Sequence, residues 1–423
     1  MAADCMQGLL TADSELQFPM TWLTPAGFDW QLWNSSTADF NRDPPPNSAP
    51  LSDRVRWMLA LGADTPGSYK VDGELSAFSM GSTYSEEGEG KSYIPGMMYH
   101  DEDGEPLLDQ QPFAFGDYLS AEALWLANST VSPTKPTCLL IWLHPFSYNT
   151  GYSPQYGQAD VRAPVAREAG CVVMAFDQVG FGIRVTQGGN KFYARHGGRA
   201  SLLGQMVKDV RAAVDFMLCR SPALRHDDAL CSQHGYSVDN SPIDKIPYID
   251  PARVYVAGFA LGGMLALHAA ALDSRIKAVA SFAGWTPFRT DTSDKPTGGI
   301  RRLYEMHALL PRLGLFDHGD NVNNVMSSIP YDYDELLSKA IAPRPTLLYT
   351  PRGDRDATWS DVSACVNASK VAWPGEWPYD TLVGLACSAV RHTCSSGLSP
   401  VCGLNHSRSC LFWCPSMLSK HTA

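Results

Sequence analysis

Six residues in mid-chain, Gly258-Phe259-Ala260-Leu261-Gly262-Gly263, have the spacing of a corner built to present one side chain. They follow the apolar run "RVYVAG" and open an alanine-rich segment of helical length. A side chain held at the tip of a sharp strand-to-helix bend brings two backbone segments very close, so only glycine fits two residues to either side. The helix beyond directs its unpaired N–H groups and positive dipole end at whatever sits there. A serine at such a tip would attack a carbonyl carbon. The residue here is Ala260, whose methyl cannot. Glycine turns also serve close helix–strand packing alone, so the neighbouring loops must decide which use applies.

The elements that would position this corner are legible as apolar runs. "TCLLIWLHP", "CVVMAFDQVGFG", "RVYVAG", "IKAVASFAG" and "PTLLYTP" are five runs of strand length, apolar throughout, as suits strands of a parallel sheet covered on both faces. Between them, Leu203, Met206, Val207, Val210, Val214 and Met217 recur at three and four residues and predict one face of an amphipathic helix. Strand–helix alternation over residues 137–372 predicts a doubly wound, mostly parallel α/β fold. Ligands of such folds bind beyond the carboxyl ends of the strands. Three loops there matter: "HPFSYNTGY" after the first run, "FDQVGFGIR" after the second, and "RGDRDATWSDV" after the fifth. In the second loop Asp177, Gly180, Gly182 and Arg184 form a tight turn bracing its neighbour.

With these loops beside the Gly258–Gly263 corner, the chain resembles the α/β-hydrolase superfamily. The likeness is to its dienelactone-hydrolase and acetylxylan-esterase branch, which couples a D-Q-x-G-x-G-x-R turn with a G-x-S-x-G-G elbow. It covers roughly residues 110–372. The resemblance implies a Ser–Asp–His triad working by acyl transfer, with Ala260 at the nucleophile position. It implies an oxyanion hole from the backbone N–H of Leu261 and one near Phe146, and structural turns at Gly258, Gly262, Gly263, Asp177 and Arg184. Asp354, eight residues before Val362, has the family's spacing for the triad acid, with Asp356 as runner-up. A solvated loop acid paired with Arg352 or Arg355 is the other reading of both. The histidine is unknown: His392, His406 and His421 all stand in a tail without strand–helix rhythm. Substitute nucleophiles would be Ser147, Ser281 or the thiol of Cys171.

Residues 1–50 end in "NRDPPPNSAP" and read as an irregular arm. Residues 51–62 read as a short helix with a Ser or Asp cap, stopped by glycine, and residues 65–130 as edge strands and loops. Residues 51–372 make the main domain. A cap-like insertion at about 285–335 carries Trp285, Phe288, Tyr304 and Met306 for apolar lining, and Arg289, Arg301 and Arg302 to meet an acidic ligand. A surface helical hairpin with solvated arginines is the equal alternative. Residues 373–423 form a Cys- and Ser-rich tail of uncertain structure.

Of the 11 cysteines, Cys5, Cys138, Cys171, Cys219, Cys231 and Cys365 are scattered, several in apolar runs, as suits free thiols of a reduced compartment. In the tail only Cys410 and Cys414 have knuckle spacing and no partner pair follows, so no metal site is read. Sequons at Asn34, Asn128, Asn367 and Asn405 bear only on a secreted chain. The N-terminus has no basic, apolar leader pattern, which points to the cytoplasm, and no apolar run reaches the roughly 18 residues of a membrane span. A net charge of −11 argues against nucleic acid or an anionic membrane as partner. No cofactor motif occurs: the glycine pattern of a dinucleotide site and a P-loop are both missing. The expected partner is a small-molecule ligand or an ester substrate, and oligomeric state is not legible. Two functions remain: an impaired hydrolase relative that keeps its pocket, or an active esterase with an unrecognised nucleophile.

Overall fold

The computed structural model describes residues 43–61, 108–115, 119–127, 129, 131–147, 151–152, 162–188, 192–193, 196, 200–219, 221, 245–290, 309–316, 328–352, 354 and 357–373. Seven strands form one sheet: β1 (Leu108–Phe115), β2 (Leu119–Leu126), β3 (Thr137–Leu143), β4 (Val172–Phe176), β5 (Ile249–Phe259), β6 (Ala278–Phe282) and β7 (Thr346–Tyr349). Their order is β1-β2-β4-β3-β5-β6-β7. The five apolar runs are the five parallel strands β3 to β7, and β1 and β2 add an antiparallel pair at one edge. This is a doubly wound, mostly parallel sheet with flanking helices. Chain reversals at β3 leave the crevice beyond the carboxyl ends of β3, β4 and β5, and the glycine corner lies there.

Among the described residues, helices cover the two faces unequally. On one face lie α1 (Leu51–Met58), α3 (Leu202–Leu218), α4 (Leu261–Leu272) and α6 (Trp359–Ser369), all contributing to the larger core cluster. The six periodic residues of α3 are all buried, and α4 is buried from Leu261 to Ala270, as its all-apolar sequence requires. On the other face α2 (Arg162–Ala169) packs against β1, β2 and β4, and it is the only helix there among the described residues. Trp142, Tyr255, Leu347 and Tyr349 are half-buried on that face.

Helix α1 differs from expectation at both ends. Pro50 precedes it with no side-chain cap, and Ser52 and Asp53 sit inside the first turn. It ends on Ala60 at φ 54°, where the N–H of Ala60 donates to Trp57 and that of Leu61 to Arg56. This left-handed closure is usually given to glycine. The helix then docks on α3, whose cap Ser201 accepts from Gly204 N–H and donates to the Leu59 carbonyl at 2.7 Å.

The described parts of the 285–335 insertion, residues 285–290, 309–316 and 328–335, pack into the core on the α4 face. Trp285, Phe288, Tyr331 and Tyr333 stack among themselves there. Arg289 does not await a ligand: it donates to the Ile329 carbonyl and pairs with Glu335 at 3.1 Å. Glu335, in the short helix α5 (Tyr333–Glu335), also takes Arg54 from α1, and the Arg312 guanidinium lies over the Trp57 ring at 4.6 Å. The insertion therefore clamps α1 to the domain. Arg301, Arg302, Tyr304 and Met306 lie outside the described residues.

The cysteine reading needs correction. Cys138 and Cys171, at the starts of β3 and β4, are joined by a disulfide, and Cys219 is disulfide-bonded as well. Adjacent parallel strands bring Cys138 beside Cys171, a proximity that a separation of 33 residues conceals. Among the described residues only Cys365 is a free thiol, and it is buried. Maleimide labelling of the denatured, unreduced chain should modify Cys365 and spare Cys138, Cys171 and Cys219, with all four labelled after reduction. Modification of Cys138 before reduction would contradict the bond.

Candidate active site

The corner between β5 and α4 is as tight as its glycines suggest. Ala260 has φ 50° and ψ −115°, a conformation costly for a residue with a Cβ. Its N–H donates to the Phe282 carbonyl at 2.8 Å, and its carbonyl accepts from Met264. A Cβ on Gly258 would overlap the backbone of Gly262, and one on Gly262 would overlap the Leu143 carbonyl and meet that of His144 at 2.8 Å. A Cβ on Gly263 would lie 2.7 Å from Ser281 Oγ and 3.0 Å from Gly284 Cα. Three neighbouring segments thus press on the corner, and the Ala260 tip is left half-exposed beside exposed Phe259.

Leu261 is the first residue of α4, so its N–H has no acceptor within the helix. Neither it nor the Phe146 N–H donates to any described residue. The loop carrying Phe146 leaves β3 alongside Gly262, and Phe146 packs edge-on to Phe181 with ring centres 5.9 Å apart.

His144 fixes this loop. Gln178 N–H donates to His144 Nε2 at 3.1 Å, and Gln178 Nε2 donates to the His144 carbonyl at 2.7 Å. Because Nε2 accepts, the ring proton resides on Nδ1, which donates to the Pro145 carbonyl at 2.7 Å. Ser147 Oγ lies 2.9 Å from the same Nδ1 and therefore faces a donor. Burial holds His144 down to about 4, so it stays neutral.

The turn after β4 braces the same region. Asp177 Oδ1 accepts from Tyr152 N–H at 3.0 Å, and its carboxylate fills the space a Cβ would need at Gly151 and Gly182, both at positive φ. Arg184 donates to the Asp177 carbonyl and pairs with Asp209 of α3 at 2.7 Å.

Asp354 sits half-buried on the turn after β7, its N–H donating to the Pro351 carbonyl at 3.0 Å, while Arg352 lies over the Trp359 ring. Asp356, His392, His406 and His421 lie outside the described residues. Ser281 is fully buried behind Gly263, and its hydroxyl has no hydrogen-bond partner. Cys171 is oxidised. The His144–Gln178 pair was not singled out in the sequence; the His-Pro that ends β3 and the Gln following Asp177 were its only signals. Among the described residues no cluster of His, Cys, Asp or Glu could hold a metal ion. No described helix is long and apolar enough to cross a membrane.

No protein family and no curated protein matches the sequence. Solved structures similar to the chain include a glucuronoyl esterase from Solibacter usitatus, at 13% identity and TM-score 0.39, covering 63% of this chain and 70% of that one. An acetyl xylan esterase from Paenibacillus sp. R4 has 17% identity and TM-score 0.39, covering 66% and 76%. A promiscuous CE15 esterase from a marine bacterial metagenome has 14% identity and TM-score 0.43, covering 76% and 78%.

Two outcomes follow from this geometry. Ala260→Gly, which removes the Cβ from a strained φ, should raise stability by about 1 kcal/mol in urea titration. The second concerns His144 and His268, the latter buried in α4 with Nε2 at 2.9 Å from Tyr331 Oη and also held near 4. Both stay neutral when folded, whereas the unfolded chain protonates them near 6.5. Stability should be full above pH 6.5 and fall as the pH drops towards 4, by on the order of 3 kcal/mol for each histidine. Urea midpoints that hold steady from pH 7 to 4.5 would contradict this.

Proposed function

We propose that the protein is an α/β-hydrolase-fold relative of the carboxylic-ester hydrolases that keeps a small-molecule, carbonyl-binding site and lacks its attacking oxygen. The observation that carries the reading is Ala260: a methyl at φ 50° on a bend whose strain serves only to present a side chain. The unengaged N–H groups of Leu261 and Phe146 supply the oxyanion-binding half of such a site. Asp354 is the acid of the reading, as the residue on the turn after β7.

The candidates for an unrecognised nucleophile fare poorly on chemical grounds. A hydroxyl needs a base within reach. His144 offers Ser147 a proton donor rather than a lone pair, because Gln178 N–H occupies Nε2. Ser281 Oγ has no partner at all, and Cys171 is tied to Cys138. With no attacking group, catalysis is limited to what binding and the oxyanion hole provide, about 10³–10⁴-fold over water in well-studied hydrolases. The net charge of −11 favours a small ligand over nucleic acid. The disulfides support maturation in an oxidising compartment in place of the cytoplasm expected from the N-terminus.

Hydrolysis of p-nitrophenyl acetate by the parent chain and by Ala260→Ser tests the reading. The parent should show no acyl-enzyme burst, and Ala260→Ser should gain covalent labelling by a fluorophosphonate and turnover about 10³-fold above the parent. Labelling without turnover would place a second deficit at the histidine. Parent turnover equal to that of Ala260→Ser and abolished by Ser147→Ala would overturn the proposal.

A further inference from the structure

We infer that His144 is a positioning residue: its neutral imidazole holds the Phe146 N–H in register with the Leu261 N–H, so that both reach one carbonyl oxygen. The inference rests on the oxyanion-binding reading of the site and assigns the residue that sets its geometry.

The two N–H groups are supported differently. Leu261 belongs to α4 and is fixed by a helix buried on every side. Phe146 lies three residues past the end of β3, where the sheet ladder no longer constrains it. A loop amide held to the tolerance that a transition state demands needs its own support. His144 supplies it in three directions. Its carbonyl accepts from Gln178 Nε2, and its Nε2 accepts from Gln178 N–H, which ties β3 to the exit of β4 by two bonds between the same two residues. Its Nδ1 donates forward to the Pro145 carbonyl and contacts Ser147 Oγ, which curls the loop around Phe146. Its ring also stands edge-on to Phe181, 5.4 Å between centres, and Phe181 in turn carries the Phe146 ring.

Only a neutral ring with the proton on Nδ1 can make this pattern. A protonated ring would set its Nε2–H against the Gln178 N–H. Asparagine lacks the length to place an acceptor at the Nε2 position, and phenylalanine keeps the ring volume but loses both polar contacts. Glutamine can place its Oε1 where Nε2 stands. The same pattern makes the imidazole unfit to take a proton from substrate or serine, so its contribution is to geometry alone.

The test compares His144→Phe and His144→Gln by two measurements. In the parent chain, amide NMR should show Gln178 losing exchange protection and the Phe146 amide shifting in His144→Phe, with both restored in His144→Gln. In the Ala260→Ser background, His144→Phe should lower kcat for p-nitrophenyl acetate about 100-fold, the scale of one lost oxyanion donor, with KM changed less than about 3-fold. The shape of the pH profile should stay as it was, and His144→Gln should recover kcat to within about 5-fold of the background. Unchanged kcat in His144→Phe, or equal losses in both variants that track their thermal midpoints, would overturn the inference. If Ala260→Ser is neither labelled by the fluorophosphonate nor turns over, the oxyanion reading itself has failed; if it is labelled without turnover, the deficit lies at the histidine. The amide measurement then judges the positioning separately, and an unmoved Phe146 amide in His144→Phe would refute it.

Discussion

The close approach of backbone to backbone at Gly258, Gly262 and Gly263 is the constraint on which the rest of the site depends. The Leu143 carbonyl stands where a Gly262 Cβ would be, and Ser281 and Gly284 crowd Gly263 from the other side. These contacts fix where α4 begins relative to three parallel strands. Because the helix start is fixed, so is the Leu261 N–H, and so is the tip at Ala260. A single added methyl at any of the three glycines would push α4 off the sheet, since protein interiors transmit such displacements rather than absorb them. The bend retains its cost even though its tip bears no reactive atom, which is why Ala260 is more informative than an unstrained alanine would be.

Around this corner the loops are held by groups that the chain cannot exchange freely. The Asp177 carboxylate occupies space denied to side chains at Gly151 and Gly182, and the His144–Gln178 pair joins the exits of β3 and β4. At the far end of α4, Arg344 donates to the carbonyl of Ala270 in the last turn and to those of Asp273 and Ile276 in the segment that follows. The helix is thus tied down at both ends. Further out, Arg54, Arg289 and Lys339 converge on Glu335, and Asp332 accepts from the N–H groups of Phe288, Arg289 and Tyr333. Removing one partner from such a buried cluster would leave another charge or N–H unmatched, a larger loss than the cluster's own net contribution.

The disulfide between Cys138 and Cys171 changes the view of the chain's surroundings as well as its chemistry. It removes the only thiol considered as a nucleophile, and it closes the amino ends of β3 and β4 opposite the site. Among the described residues the helices lie mostly on one face of the sheet. An apolar residue in a buried-looking run records that a face is mostly shielded from water, and Trp142 and Tyr255, amphipathic side chains, are half-buried there.

Sequence alone determined the periodic features. The five strands, the buried face of α3 and the glycine spacing of the corner are each set by side-chain size and polarity within a few residues, and they are readable for that reason. The methyl at position 260 is likewise a matter of residue type. Tertiary structure decided everything that depends on residues distant along the chain. Cys138 meets Cys171 only once β3 and β4 pair, and Arg54 of α1 finds Glu335 only when the two segments pack together. The proton on His144 is placed by a backbone N–H 34 residues away, a contact that leaves no trace in local composition. Helix α1 stops on Ala60 at a positive φ because docking of Leu59 on Ser201 and Gly204 overrides the local preference for glycine. Local chemistry writes the elements, and the long-range contacts that orient each ring, charge and thiol exist only after those elements have packed.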